Sequence, residues 1–153
     1  MKKIHIQTII KTLLFSLLIA FPLVFSSCGE ETTEIPQTQQ EKTRLILVNS
    51  PWKMQKVTVD GFDQTNIYKD LVLTFLNTQY TSVNGKGVWP ANGFWSFENT
   101  EATSFLRSDG VRVDILEITN TSLRLSMDWD ETTYITTGRT TSLDGQHIFE
   151  FGK

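Results

Sequence analysis

Five Asx-Gly pairs constrain this chain most: Asp60-Gly61, Asn84-Gly85, Asn92-Gly93, Asp109-Gly110 and Asp144-Gly145. Asn-Gly and Asp-Gly supply the positive φ that tight hairpin turns demand. With other turns between them, the pairs leave short segments, each suited to one strand. The composition of residues 44–153 agrees. These 110 residues hold 14 aromatics, abundant Thr and only two Ala (Ala91 and Ala102), a bias towards strands over helices. A chain of that length buries about two-thirds of its unfolded surface and can fold alone.

The hydrophobic pattern has period two. Leu123, Leu125, Met127 and Trp129 alternate with Arg124, Ser126, Asp128 and Asp130, the cleanest half-buried strand in the chain. Val111, Val113 and Ile115 alternate with Arg112 and Asp114, then Leu116 and Ile118 change phase. That shift predicts a bulge near Ile115–Leu116. Further strands are expected at 52–59, 71–76, 79–83, 93–98, 103–107, 132–137 and 146–151. No amphipathic stretch of helical period exceeds two turns, and residues 63–69 make a turn of helix at most. Eight or nine short strands joined mostly by tight turns imply a meander. Closing a meander into a barrel removes its two open edges. The expected fold is therefore all-β, an antiparallel up-and-down β-barrel, with a two-sheet β-sandwich as the alternative.

The N-terminus has different chemistry. Lys2, Lys3 and Lys11 precede the apolar run 13–25, which is shorter than the roughly 18–20 residues of a spanning helix and carries Pro22. Residues 1–27 thus read as a secretory signal. Val24-Phe25-Ser26-Ser27-Cys28-Gly29 resembles a bacterial lipobox, with Phe25 where Leu is usual. The resemblance implies that Cys28 carries a diacylglyceryl thioether, that cleavage precedes it, and that the new amine is acylated. Two or more acyl chains hold a protein stably where one does not, at about 0.8 kcal/mol per buried CH₂. Residues 28–43 comprise that Cys and an acidic tether without aromatics, expected to be disordered and to reach about 20 Å as a coil. Glu30 and Glu31 resemble the export signal of surface-exposed lipoproteins in Bacteroidetes. The expected location is the bacterial outer membrane.

The domain carries a second resemblance. Ser50-Pro51-Trp52-Lys53-Met54, Leu73-Thr74-Phe75, Gln79-Tyr80-Thr81, Gly93-Phe94-Trp95-Ser96-Phe97 and Leu116-Glu117-Ile118-Thr119 with Ser122-Leu123-Arg124-Leu125-Ser126 look like the lipocalin-like lipoproteins of Bacteroidetes. Ser50 stands where that group commonly has Gly. The resemblance covers roughly residues 45–151. It implies a lipocalin-like barrel domain over 44–153 in the cell envelope, more than any activity.

Charge and chemistry narrow the function. The chain has 14 Lys+Arg against 17 Asp+Glu. The signal takes three of the cationic residues and no acid, which leaves 11 against 17, a net of −6. Nucleic acid is thereby disfavoured as a partner. One Cys permits no disulfide within the chain and no Cys-pair zinc site. His147 is the one His after the signal, alternates with Phe149 and Phe151, and reads as a barrel-wall residue. No Gly-x-Ser-x-Gly elbow or phosphate-cradling loop accompanies it. Asp128-Trp129-Asp130-Glu131 is a dense run of oxygen donors, but strand neighbours point to opposite faces, so it reads as a solvated turn. Glu98 and Glu101 flank a turn with nothing to raise a pKa, unlike a glycosidase pair. No enzyme, metal or cofactor is expected.

A binding role remains. Trp52, Phe75, Trp95 and Met127 are candidate walls for a small apolar or amphipathic ligand in the barrel, with Trp89 at its mouth. The same bulky residues can instead fill the lumen. Trp89 sits in a Pro- and Gly-rich stretch, 84–92. It is either exposed for stacking on a glycan or anchoring a partner, or folded back as a lid. The alternative to a ligand carrier is therefore a filled barrel that docks on an outer-membrane complex or glycan through its loops. In that case Trp89 and Tyr134 are exposed together.

Overall fold

The computed structural model describes residues 36–130, the backbone of 135–136 and 139–140, and residues 143–153. The expected signal, Cys28, the first part of the tether and Tyr134 lie outside the described residues. In chain order the elements are helix α1 (Gln39–Val48), then strands β1 (Trp52–Val59), β2 (Phe62–Asp63), β3 (Val72–Phe75), β4 (Gln79–Val83), β5 (Asn92–Phe97), β6 (Ser104–Arg107), β7 (Arg112–Ile118), β8 (Ser122–Trp129), β9 (Ile135–Thr136), β10 (Arg139–Thr140) and β11 (Gly145–Gly152). Sheet neighbours run β11-β8-β7-β6-β5-β4-β3-β1, and β11 also pairs antiparallel with β1. Eight strands thus close an antiparallel up-and-down barrel, and the sandwich alternative falls away. Closure gives all eight strands partners on both edges.

The turns follow the Asx-Gly pairs in part. Asp60 (φ 49°) and Gly61 (φ 81°) join β1 to β2, with Val59 opposite Phe62. Two successive positive φ values make the twisted two-residue turn that hairpins favour. Gly110 (φ 86°) ends the three-residue turn between β6 and β7, where the Arg107 amide donates to the Val111 carbonyl (2.9 Å). Asn92-Gly93, expected as a turn leading into a strand from 93, already opens β5. Gly93 is opposite Tyr80, and a Cβ there would come within 2.6–2.8 Å of the Tyr80 ring. Its glycine serves a close approach rather than a turn.

The bulge expected on β7 is present. Register with β8 shifts between Ile115 and Glu117. A second shift, between Met54 and Lys56 against β11, has no mark in the hydrophobic pattern. On one edge, β1 pairs with β3 at Trp52 and Lys53 and with β2 at Thr58 and Val59. The wall between these pairings is filled by residues 64–71. The Gln64 amide donates to the Val57 carbonyl (2.9 Å), and the Met54 amide to the Leu71 carbonyl (2.9 Å). The segment contributes Tyr68 and Leu71 to the core. As expected, its helical content is no more than successive i→i+3 bonds, Ile67 to Gln64 and Tyr68 to Thr65.

Disorder was expected through residue 43, but Thr38 already caps a helix. Its side chain accepts from the Glu41 amide, and the Glu41 carboxylate accepts from the Thr38 amide (2.7 Å), a reciprocal cap. Helix α1 then runs ten residues, nearly three turns. It packs over the barrel end formed by the start of β1 and the end of β11. The Trp52 indole donates to the Leu47 carbonyl (2.9 Å), Gln40 to the Asn99 carbonyl (2.8 Å), and Arg44 to the Asn77 carbonyl. The Arg44 guanidinium also lies 4.9 Å above Trp95 and 5.1 Å above Phe97. Only Thr43 and Leu47 of α1 are buried. So narrow an apolar stripe leaves little helical period to read, and contacts with the barrel stabilise the helix instead.

Candidate functional site

Candidate site residues divide between the two halves of the lumen. In the half under α1, the Phe75 ring meets Trp95 and Phe105 edge-on, each at 5.7 Å between centroids. The Trp95 indole donates to the carbonyls of Leu76 (3.1 Å) and Gln79 (3.0 Å). Trp52 is fully buried, with the Lys153 ammonium 4.3 Å above its ring. Trp52, Phe75 and Trp95 are thus side chains packed on side chains.

Trp89 and Met127 lie in the opposite half, around Arg107. Period two on β6 points Phe105 and Arg107 inward and Leu106 outward, so the strand delivers a guanidinium to the lumen. The Arg107 side chain is fully buried. Its Nη1 donates to the Val88 carbonyl (2.7 Å) and approaches the Met127 sulfur (3.7 Å). Its Nε donates to one carboxylate oxygen of Asp109 (3.1 Å) and its Nη2 to the other. Trp89, Tyr80 and Trp129 surround the cation, with centroids 4.9, 5.7 and 5.9 Å away. A buried cation requires this many partners, since its desolvation is large. Burial also raises the Tyr80 phenol above its ordinary pKa, partly offset by Arg107.

Trp89 is only 1% exposed, so of its two expected dispositions the folded-back one is found and the exposed stacking or anchoring residue falls away. The loop folds back because the Ser82 hydroxyl holds the carbonyls of Trp89 (2.7 Å) and Pro90 (3.0 Å), while the Trp89 amide donates to the Gly85 carbonyl (2.9 Å). The ring then packs edge-on against Tyr80 (5.5 Å) and Phe149 (6.0 Å). Among the described residues its indole Nε1 is buried with no hydrogen-bond partner. Buried donors are nearly always paired, and an orphan is destabilising by about 1–3 kcal/mol.

His147 faces the lumen from β11 and is fully buried. Its Nδ1 lies 3.0 Å from the Gly145 carbonyl, which can only accept. Nδ1 therefore carries the proton, and Nε2 accepts from the Tyr68 hydroxyl at 2.8 Å. Burial pulls the imidazole pKa below its ordinary 6.5, against weaker opposing effects of Gly145 and Asp60. Burial also drives the Tyr68 phenol well up. The unfolded chain takes up a proton near pH 6.5 that the folded chain disfavours. Stability is then complete above that pH and declines as pH falls below it. Urea midpoints should fall between about pH 7.5 and about pH 5, and His147→Gln should flatten that slope. An equal slope in the variant would place the titration elsewhere.

The other acidic candidates are laid out on the surface. Glu98 accepts from Ser104 (3.0 Å) and lies 3.4 Å from Arg112. Glu101 accepts from Thr100 (2.7 Å), which lowers its pKa, the reverse of what an acid catalyst needs. Asp128 and Asp130 are exposed on either side of buried Trp129. Among the described residues no group of three His, Cys, Asp or Glu side chains is arranged to hold a metal. Open clefts lined by the described residues include two with mainly outward-facing side chains. One, of about 290 Å³, is lined by Arg112, Asp114, Ser126, Asp128 and Gln146 among others. The other, of about 410 Å³, carries Phe94, Ser96, Leu106 and Ser108.

Sequence reasoning missed Arg107, Asp109, Tyr80 and Tyr68. For Arg107 a signal existed, since it shares strand parity with Phe105. For Tyr68 none did, because its partner is 79 residues away. No protein-family model matches the chain, and comparison with curated proteins finds no match.

Proposed function

We propose that the protein is a non-enzymatic binding module of the bacterial outer membrane. It is lipid-anchored at Cys28 and takes a small amphipathic ligand at the barrel end that holds Arg107 and Trp89. One observation carries the ligand reading: a fully buried cation and an unpaired indole donor share one end of a barrel whose buried side chains are mostly apolar. A lumen that needed only filling has no use for either, since apolar residues of similar volume are as stable or more so. The non-enzymatic reading draws support from His147, whose ring nitrogens are both engaged by Gly145 and Tyr68. The anchor reading rests on the lipobox resemblance around Cys28 and on the apolar run before it.

A second reading has its own support. Phe75, Trp95, Phe97 and Phe105 interlock in the α1 half, and Phe94 and Leu106 are exposed on the outer wall. These suit a filled barrel that docks on an envelope complex. Native mass spectrometry of protein taken from its own membrane separates the two. A small-molecule adduct supports the carrier, and a bare barrel retained with a protein partner supports docking. For the anchor, Cys28→Ala should abolish palmitate labelling and move the protein from the membrane to the soluble fraction. Unchanged fractionation of that variant would overturn the anchor.

A further inference from the structure

We infer that the ligand's polar head is a carboxylate, which takes the place of Asp109 on Arg107 and accepts from the Trp89 indole. This rests on the carrier reading above and names the chemical class of its ligand. Three observations carry it. First, the Nε–Nη2 edge of the Arg107 guanidinium already presents the two-point fork that fits a carboxylate, and Asp109 fills it. Second, the occupant is replaceable. The Arg107 side chain is fully buried, whereas the Asp109 side chain is 36% exposed on the turn between β6 and β7. Asp109 can rotate into water and be solvated there, while Arg107 cannot leave. Third, the Trp89 ring lies against that same guanidinium, 4.9 Å from centroid to Cζ, and its Nε1 has no acceptor. The orphan donor lacks an acceptor, and the cation beside it holds one, the Asp109 carboxylate, that can leave for water.

The surroundings select an amphiphile over a bare anion. Tyr80, Trp129, Met127 and Val88 around the guanidinium are apolar and buried, so a group that reaches Arg107 must leave water with its neighbouring atoms. A small hydrated anion gains nothing from those contacts, while an alkyl or aryl carboxylate buries apolar surface against them. An ammonium head is repelled by Arg107. An alcohol head forfeits the charge-assisted fork.

The test is calorimetry on the mature full chain in nanodiscs, with empty nanodiscs subtracted for partitioning. The probes are octanoate, octanol, octylammonium and acetate. Octanoate should bind at least about ten-fold tighter than the other three. Trp89→Phe keeps the ring and removes the donor. It should weaken octanoate by about ten-fold, leave octanol unchanged and raise the melting temperature, because an unpaired buried donor has gone. Asp109→Asn weakens the resident competitor and should tighten octanoate. Octanol binding as tightly as octanoate, or octanoate indifferent to Trp89→Phe, would overturn the carboxylate head and leave the carrier standing. Acetate binding as tightly as octanoate would make this a simple anion site and overturn the amphiphile. No binding by any of the four probes would overturn the carrier reading itself.

Discussion

Phe75→Ala should lower the unfolding free energy by about 3–5 kcal/mol, the upper range for a core truncation. Phe75 closes β3 and is 1% exposed. Its ring touches Tyr80 of β4, Trp95 of β5 and Phe105 of β6, with centroids 6.4, 5.7 and 5.7 Å away. One side chain therefore joins four consecutive strands from inside. Each aromatic pair adds about 0.5–1.5 kcal/mol beyond burial. The wall cannot collapse to fill the space, because closure of β11 on β1 fixes the circumference. The cavity then persists and adds its own penalty. Phe75→Leu keeps most of the volume and should lose less than about 1.5 kcal/mol. Urea unfolding reads both, with an unchanged m-value if the barrel stays closed. A loss under about 1 kcal/mol in the alanine variant would mean that this half of the lumen has slack.

Trp52→Ala should lose a similar amount, about 3–5 kcal/mol, and should also release α1. Trp52 is fully buried at the start of β1, and its indole donates to the Leu47 carbonyl at 2.9 Å. That bond fastens the C-terminal turn of α1 to the barrel and satisfies a carbonyl the helix leaves unpaired. With it gone, Lys42 and Arg44 should become sites of rapid tryptic cleavage. Trp52→Phe separates the two contributions, since it retains bulk and leaves the buried carbonyl without a donor. It should lose about 1–3 kcal/mol. Protection of α1 unchanged in Trp52→Ala would assign the docking to Arg44 and Gln40 instead. The outcome bears on function, because α1 is where the expected membrane tether meets the barrel.

The legible part of the fold was whatever repeats over short range. Alternation from Leu123 to Trp129 announced β8, and the phase change after Ile115 announced its bulge. Asp60-Gly61 announced its hairpin. Asn92-Gly93 misled because the same dipeptide serves two purposes. A turn needs its backbone freedom, whereas β5 needs only the missing Cβ against Tyr80. Helix α1 was invisible because two buried residues, Thr43 and Leu47, make too narrow a stripe for a 3.6 period to show. The bulge at Met54–Lys56 left no phase change in the apolar pattern.

The candidate site was legible by residue type and not by arrangement. Trp52, Phe75, Trp95 and Met127 were readable as inward and bulky, and the structure buries these four and Trp89 as well. Their grouping depends on which residues pairing register sets side by side, Phe75 beside Tyr80 and Trp95 beside Arg107, so the two groups adjoin. Trp89 turned inward because Ser82, seven residues earlier, holds its carbonyl, and no local propensity encodes that bond. The all-β class and the short strands between turns were settled by the sequence itself, because period and turn chemistry are local properties of the chain. Closure of β11 on β1, the seat of α1, and the meeting of Arg107, Asp109 and Trp89 were decided only by tertiary structure. Each joins groups whose attraction exists only once the chain has brought them together. A guanidinium has reason to lie inside a barrel only where the surrounding rings, carbonyl and carboxylate already replace its water.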